Sequence, residues 1–245
     1  MDIPFITVAQ MREADRLMIE EYRISLLQMM ENAGFLLADL ARERFLLGEP
    51  GGKQVLVLAG SGGNGGGALA AARRLHSWGA AVEVVLSKAS HHLEPAPARQ
   101  YASLQAVGIS SPSPEEFHGL PDADLILDGL IGYGLRGNPR GFAARLIRLA
   151  NQPDVPVVSL DIPSGLDGTN GQPGDPCIHA NATLTLALPK TGLRPRAARR
   201  AAGELFLADI GVPPELYRQL GIKVGPLFSH SPILPLNFQD EESPV

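Results

Sequence analysis

Cysteine is almost missing from this chain. Cys177 stands alone among 245 residues, which excludes an internal disulfide and points to a reducing compartment, most simply the cytoplasm. Long apolar runs are missing too. Stretches such as residues 55–59 fall far short of the roughly 18 residues that a membrane-spanning helix needs. The opening Met1-Asp2-Ile3-Pro4-Phe5 has neither the basic nor the apolar segment of a secretory signal. Positive charge is in deficit: 21 Lys and Arg against 26 Asp and Glu give a net charge of −5, which argues against a nucleic-acid binder. Metal-binding and hydrolase signatures are also lacking. The adjacent His91-His92 has no Cys or His at zinc spacing and reads as a solvated loop pair. No Ser/His/Asp elbow and no Walker lysine occurs.

What is present is an alternation of strand and helix. Thr7 is placed to cap a first helix reaching about Tyr22, and a second helical stretch covers residues 25–46, with apolar residues recurring every three to four positions. Gln54-Val55-Leu56-Val57-Leu58-Ala59 is continuously apolar after its first residue, as a strand covered on both faces would be. A glycine-rich loop at 60–67 leads into a helix from about Ala68 to Trp78. Further strands are expected at 82–86, 125–128, 157–161, 183–188 and 204–208, with helices at 95–107 and 142–150. This order predicts an α/β fold with a mainly parallel, doubly wound sheet and helices on both faces. No composition break marks a linker, so residues 1–228 are read as one domain and 229–245 as a partly disordered C-terminal tail.

Ligands of an open parallel sheet bind beyond the carboxyl ends of its strands. Three of those ends are unusual here. The first holds Gly60-x-Gly62-x-x-Gly65 between a strand and a helix, the context of a phosphate or dinucleotide loop. The acidic residue expected after the next strand is replaced by Ser87-Lys88, which disfavours an ordinary NAD site. Six glycines in eight residues are also more than one tight turn requires. The second end is Asp128, followed by a glycine-rich loop. Asp128 reads as a metal ligand, an acid/base group or a turn cap. The third is Asp161-Ile162-Pro163-Ser164-Gly165. A carboxylate there is partly desolvated, which suits proton transfer, and a structural Asx turn is the alternative. The dense group Arg194, Arg196, Arg199 and Arg200 is either a solvated face or a phosphate contact.

Six motifs then occur in a recognisable order: Met30-Glu31-Asn32-Ala33-Gly34, residues 60–66, residues 128–134, Leu160-Asp161-Ile162-Pro163-Ser164-Gly165-Leu166-Asp167, Leu188-Pro189-Lys190-Thr191-Gly192-Leu193 and Ala208-Asp209-Ile210-Gly211-Val212-Pro213. Together they resemble the NAD(P)H-hydrate epimerase family, the YjeF N-terminal domain. The resemblance implies a Rossmann-like three-layer αβα fold, a homodimer, and interconversion of the R and S forms of NADHX and NADPHX. It also implies one potassium ion, with ligands on Asn64, Asp128 and Ser164, and a separate dehydratase acting downstream. Substrate contacts would fall on Gly63, Asn64, Gly65, Gly66 and Gly67, on Gly132, Tyr133, Gly134, Leu135, Arg136, Gly137 and Asn138, and on Asp161, which would also be the catalytic group. Two departures stand out. Where the family's loop reads Asn-Asn-Gly-Gly-Asp, this chain has Gly63-Asn64-Gly65-Gly66-Gly67, and Tyr133 replaces a small Thr. Loss of the loop's Asp favours the alternative of a non-catalytic nucleotide-binding or protein-interaction domain.

Overall fold

The computed structural model describes residues 3–152 and 154–237. Two capped helices come first. α1 (Val8–Glu20) and α2 (Leu26–Phe45) each begin with a capping box, Thr7 with Gln10 and Ser25 with Gln28, which satisfies orphan amides at both ends of the exchange. The Rossmann-like unit follows: β1 (Gln54–Ala59), α3 (Gly63–Ser77), β2 (Ala81–Leu86), α4 (Pro95–Gln105), β3 (Leu125–Gly129), α5 (Gly141–Ala150) and β4 (Val157–Leu160). β5 (Ala182–Leu186), α6 (Arg196–Ala202), β6 (Glu204–Ala208), α7 (Pro214–Gln219) and β7 (Ile233–Leu236) complete the described chain.

The seven strands lie in the order β2-β1-β3-β4-β5-β6-β7, all parallel except β7, which runs antiparallel to β6. Alternation along β1 shows why the strand is apolar throughout. Val55, Val57 and Ala59 join the core under α1, α2 and α3, whereas Leu56 and Leu58 join the core under α5. The chain winds from β1 outward to β2, then crosses back to β3 on the other side of β1. The switch point therefore lies between β1 and β3, and it opens a crevice at their carboxyl ends. Among the described residues no helix is long and apolar enough to cross a membrane.

Three expectations change. The glycine run is not a loop down to Ala68: α3 starts at Gly63, so residues 63–67 form its first turns. β5 stops at Leu186, because Ala187 turns to a positive φ of 64°. Four residues of the expected tail form β7 and extend the sheet; residues 238–245 lie outside the described residues.

Candidate active site

The glycine-rich segment owes most of its composition to backbone contact. A Cβ on Gly60 would stand 2.0 Å from the Leu130 carbonyl oxygen, and one on Gly65 would stand 2.0 Å from the Gly60 carbonyl oxygen. The turns after β1 and β3 thus touch at the switch point, and only glycine permits it. Gly66 faces the Met30 thioether and not the crevice. The helix cap, Gly62, offers no side-chain acceptor, so the first amides of α3 remain available to an anion.

A cleft of about 620 Å³ fills the crevice. Of the expected contacts it is lined by Gly63, Asn64, Gly65, Gly67, Gly132, Tyr133, Gly134 and Asp161. Leu135, Arg136, Gly137 and Asn138 are not part of that lining. Asn138 instead accepts from the Asp175 amide at 3.2 Å and braces the segment there. The arginines of α6 are elsewhere: Arg196, Arg199 and Arg200 border a groove of about 640 Å³ at the β6–β7 edge.

Asp161 sits just past β4 in the left-handed region, φ 68°, with 3% of its surface exposed. After glycine, Asn and Asp tolerate that conformation best. Its Oδ1 accepts from the Lys190 ammonium and from the Leu186 amide at 3.4 Å. Lys190 is 0% exposed and also donates to the Leu186 carbonyl at 2.8 Å. Backbone pairing of Ile6 with Pro189 and Thr191 fastens this lysine from behind. Oδ2 of Asp161 has no hydrogen-bond partner among the described residues. The Lys190 ammonium lies 5.9 Å from the Tyr133 ring centre, and the Tyr133 hydroxyl donates to Asp15 on α1. Burial pushes the pKa of Asp15 above the usual carboxylate range, against the opposing pull of the Tyr133 hydrogen bond. Lys190 and Asp15 carry no sequence signal of a role in a cleft. Lys190 is only part of a motif, and Asp15 occupies a helix that otherwise reads as amphipathic.

Asp128 lies deeper, fully buried, beside Ser159 in the β3–β4 register. Its Oδ2 accepts from Ser159 Oγ and the Ser164 amide, both at 2.8 Å; Oδ1 accepts from Ser164 Oγ at 2.5 Å and the Leu130 amide at 3.2 Å. Burial raises its pKa, with these hydrogen bonds opposing. Asn64 lies on the Gly132 backbone, within 3.2 Å of a Cβ built there, and its buried Nδ2 has no partner. One buried carboxylate without a cationic partner among the described residues, two serine hydroxyls and the nearby Asn64 side-chain amide lie at this end of β3. Carboxylate, hydroxyl and amide oxygens are the donor types that hard cations take.

Gly67 is also closely packed. A Cβ there would meet Leu160 Cδ2 at 2.7 Å. Gly67→Asp is expected to lower stability by about 1–3 kcal/mol through overpacking. Leu160→Val, which lacks that methyl, should recover part of the loss in the double variant. Urea midpoints measure both, and an unchanged midpoint for Gly67→Asp alone would contradict the contact.

Comparison with known proteins gives the family. Residues 26–192 match the family described as YjeF-related protein N-terminus, and the chain belongs to that family. It is 46% identical over 222 residues to the NAD(P)H-hydrate epimerase of Dehalogenimonas lykanthroporepellens, covering 89% of this chain and 86% of that one. It is 35% identical to the NAD(P)H-hydrate epimerase of Rhodopirellula baltica, covering 91% and 90% respectively. It is also 35% identical to a bifunctional NAD(P)H-hydrate repair enzyme of Moorella thermoacetica, across 86% of this chain and 41% of that protein. The crystal structure of yeast ynu0 shares the fold, with a TM-score of 0.78 at 23% identity, over 96% of this chain and 100% of that one.

Proposed function

We propose that the chain is an NAD(P)H-hydrate epimerase, interconverting the R and S hydrates of NADHX and NADPHX. The observation that carries the reading is the buried Asp161–Lys190 pair opening on the switch-point cleft. The named relatives support it independently. The reacting carbon bears a hydroxyl beside the ring nitrogen. Losing that hydroxyl as water leaves an iminium, and water returning to the other face completes the inversion. The protein has to give a proton and take one. Asp161 is the group for this: Lys190 and the Leu186 amide hold Oδ1 while Oδ2 is left for the substrate. The uncapped start of α3 receives the pyrophosphate.

Asn64, Asp128 and Ser164 would hold a potassium ion. Bound there, it would neutralise Asp128 and stiffen the loop after β3 that carries Tyr133. The reading includes a homodimer, a cytoplasmic location suited to the single buried thiol, and a separate dehydratase that consumes the S epimer. The direct test follows the approach to equilibrium of purified R-NADHX by chromatography, with a dehydratase draining the S form. Drain of the R form well above the spontaneous rate is expected. A rate equal to the spontaneous one sinks the reading and leaves a non-catalytic relative.

A further inference from the structure

Inversion makes a demand that one carboxyl group meets awkwardly. The proton is given on one face of the ring and taken on the other. The carboxyl groups lining the cleft are Asp15, Glu94 and Asp161. Glu94 stands over the α3 cap, with Oε1 3.5 Å from a Cβ built on Gly62. Asp15 reaches the cleft from a different element. It is carried by α1, whereas Asp161 projects from the end of β4. Tyr133 links the two: its hydroxyl donates to Asp15 Oδ2, and its ring centre lies 5.9 Å from the ammonium that holds Asp161. Oδ1 of Asp15 has no hydrogen-bond partner among the described residues.

We propose that Asp15 is a second catalytic carboxyl group, acting on the ring face opposite Asp161. The proposal rests on the epimerase reading. In one direction Asp15 gives its proton to the hydroxyl on its side. The C–O bond breaks, its electron pair leaves with the water, and the nitrogen lone pair forms the C=N bond. A second water attacks the far face, the C=N pair returns to nitrogen, and Asp161 takes the proton released by that water. Turnover exchanges the protonation states of the two carboxyl groups and sets the site for the reverse epimer. Burial supports the protonated starting form of Asp15. The charged and titratable groups facing it are Tyr133, Lys190 and Asp161, with Arg12 near Tyr133 on the same helix as Asp15.

The test is Asp15→Asn in the full chain, assayed in ¹⁸O-labelled water. Asn still accepts from the Tyr133 hydroxyl but carries no acidic proton. Inversion is expected to fall about 10²–10⁴-fold. One epimer alone should still exchange its hydroxyl oxygen without inverting, because Asp161 can release and re-add water on its own face. Asp15→Glu should regain part of the inversion. Retention of inversion within tenfold overturns the proposal. So does joint loss of inversion and of all exchange, which would mean that Asp15 only shapes the cleft. Wild type that fails to exceed the spontaneous rate removes the epimerase reading and this proposal with it. Wild type that inverts alongside an equally active Asp15→Asn removes the proposal alone.

Discussion

Asp161→Asn is expected to abolish epimerisation and to destabilise the protein at the same time. The backbone is not the reason, since Asn tolerates the positive φ at this position as well as Asp does. The reason is Lys190. Its ammonium is wholly buried, and Asp161 is its only ion-pair partner among the described residues. Removing one member of a buried ion pair typically costs about 3–5 kcal/mol, because the other charge is left uncompensated. Lys190→Met should be comparably costly, since it leaves a carboxylate at 3% exposure without its cation. The double variant Asp161→Asn with Lys190→Met buries no ion. It should recover most of the stability of either single variant while remaining inactive. Chemical denaturation of the four proteins closes the cycle, and turnover of R-NADHX gives the second readout. Recovery of stability without recovery of activity separates the electrostatic role of the pair from its chemical one. If Asp161→Asn is as stable as wild type, the pair does not hold the cleft together as described. If it is fully active, Asp161 is not the proton carrier.

This coupling was not legible in the sequence, and the reason is physical. Asp161 and Lys190 are 29 residues apart, and a lysine normally reads as solvent-facing. What makes Lys190 internal is tertiary: Ile6 pairs with its two neighbours and closes the route to water. The strands were legible, because residues buried on both faces leave an uninterrupted apolar run, as in β1 after its first residue. The start of α3 was not. Glycine is a poor helix former, so propensity points to a loop. The helix forms there because close packing demands it: a Cβ on Gly34 of α2 would stand 2.6 Å from the Gly67 carbonyl oxygen, and one on Gly129 would stand 2.4 Å from Ala68 Cβ. β7 was hidden for a different reason. It is four residues long, contains Pro235 and sits at the sheet edge, where proline is tolerated and periodicity is too short to register. The excess of glycine at 60–67 pointed to the right place for a partly different cause, since Gly60, Gly65 and Gly66 answer to neighbouring protein atoms.

Asp128→Asn should also be costly, although it removes a buried charge. The carboxylate receives a fixed backbone amide on each oxygen, Leu130 on Oδ1 and Ser164 on Oδ2. Either orientation of an asparagine amide therefore points its NH₂ at a backbone N–H that cannot turn away. That buried amide loses its acceptor, at about 1–3 kcal/mol, while the serine hydroxyl on the same oxygen can turn to accept from the NH₂. The pH dependence has a definite sign. Burial raises the pKa of Asp128 in the folded state above its unfolded value, so the stabilising contribution is full below the unfolded pKa of 3.8 and is lost as pH rises through the folded value. Asp128→Asn should remove that fall while lowering stability throughout. A cation beside Asp128 opposes the same fall, because it favours the ionised form. Wild type should accordingly melt at a higher temperature in potassium than in a bulky organic cation, with the difference growing as pH rises through that window. Asp128→Asn should melt at the same temperature in both. Thermal melts in the two salts across pH decide the matter. A potassium response that survives the substitution would place the ion elsewhere, and a substitution that stabilises the protein would show that the four hydrogen bonds to Asp128 are not those described.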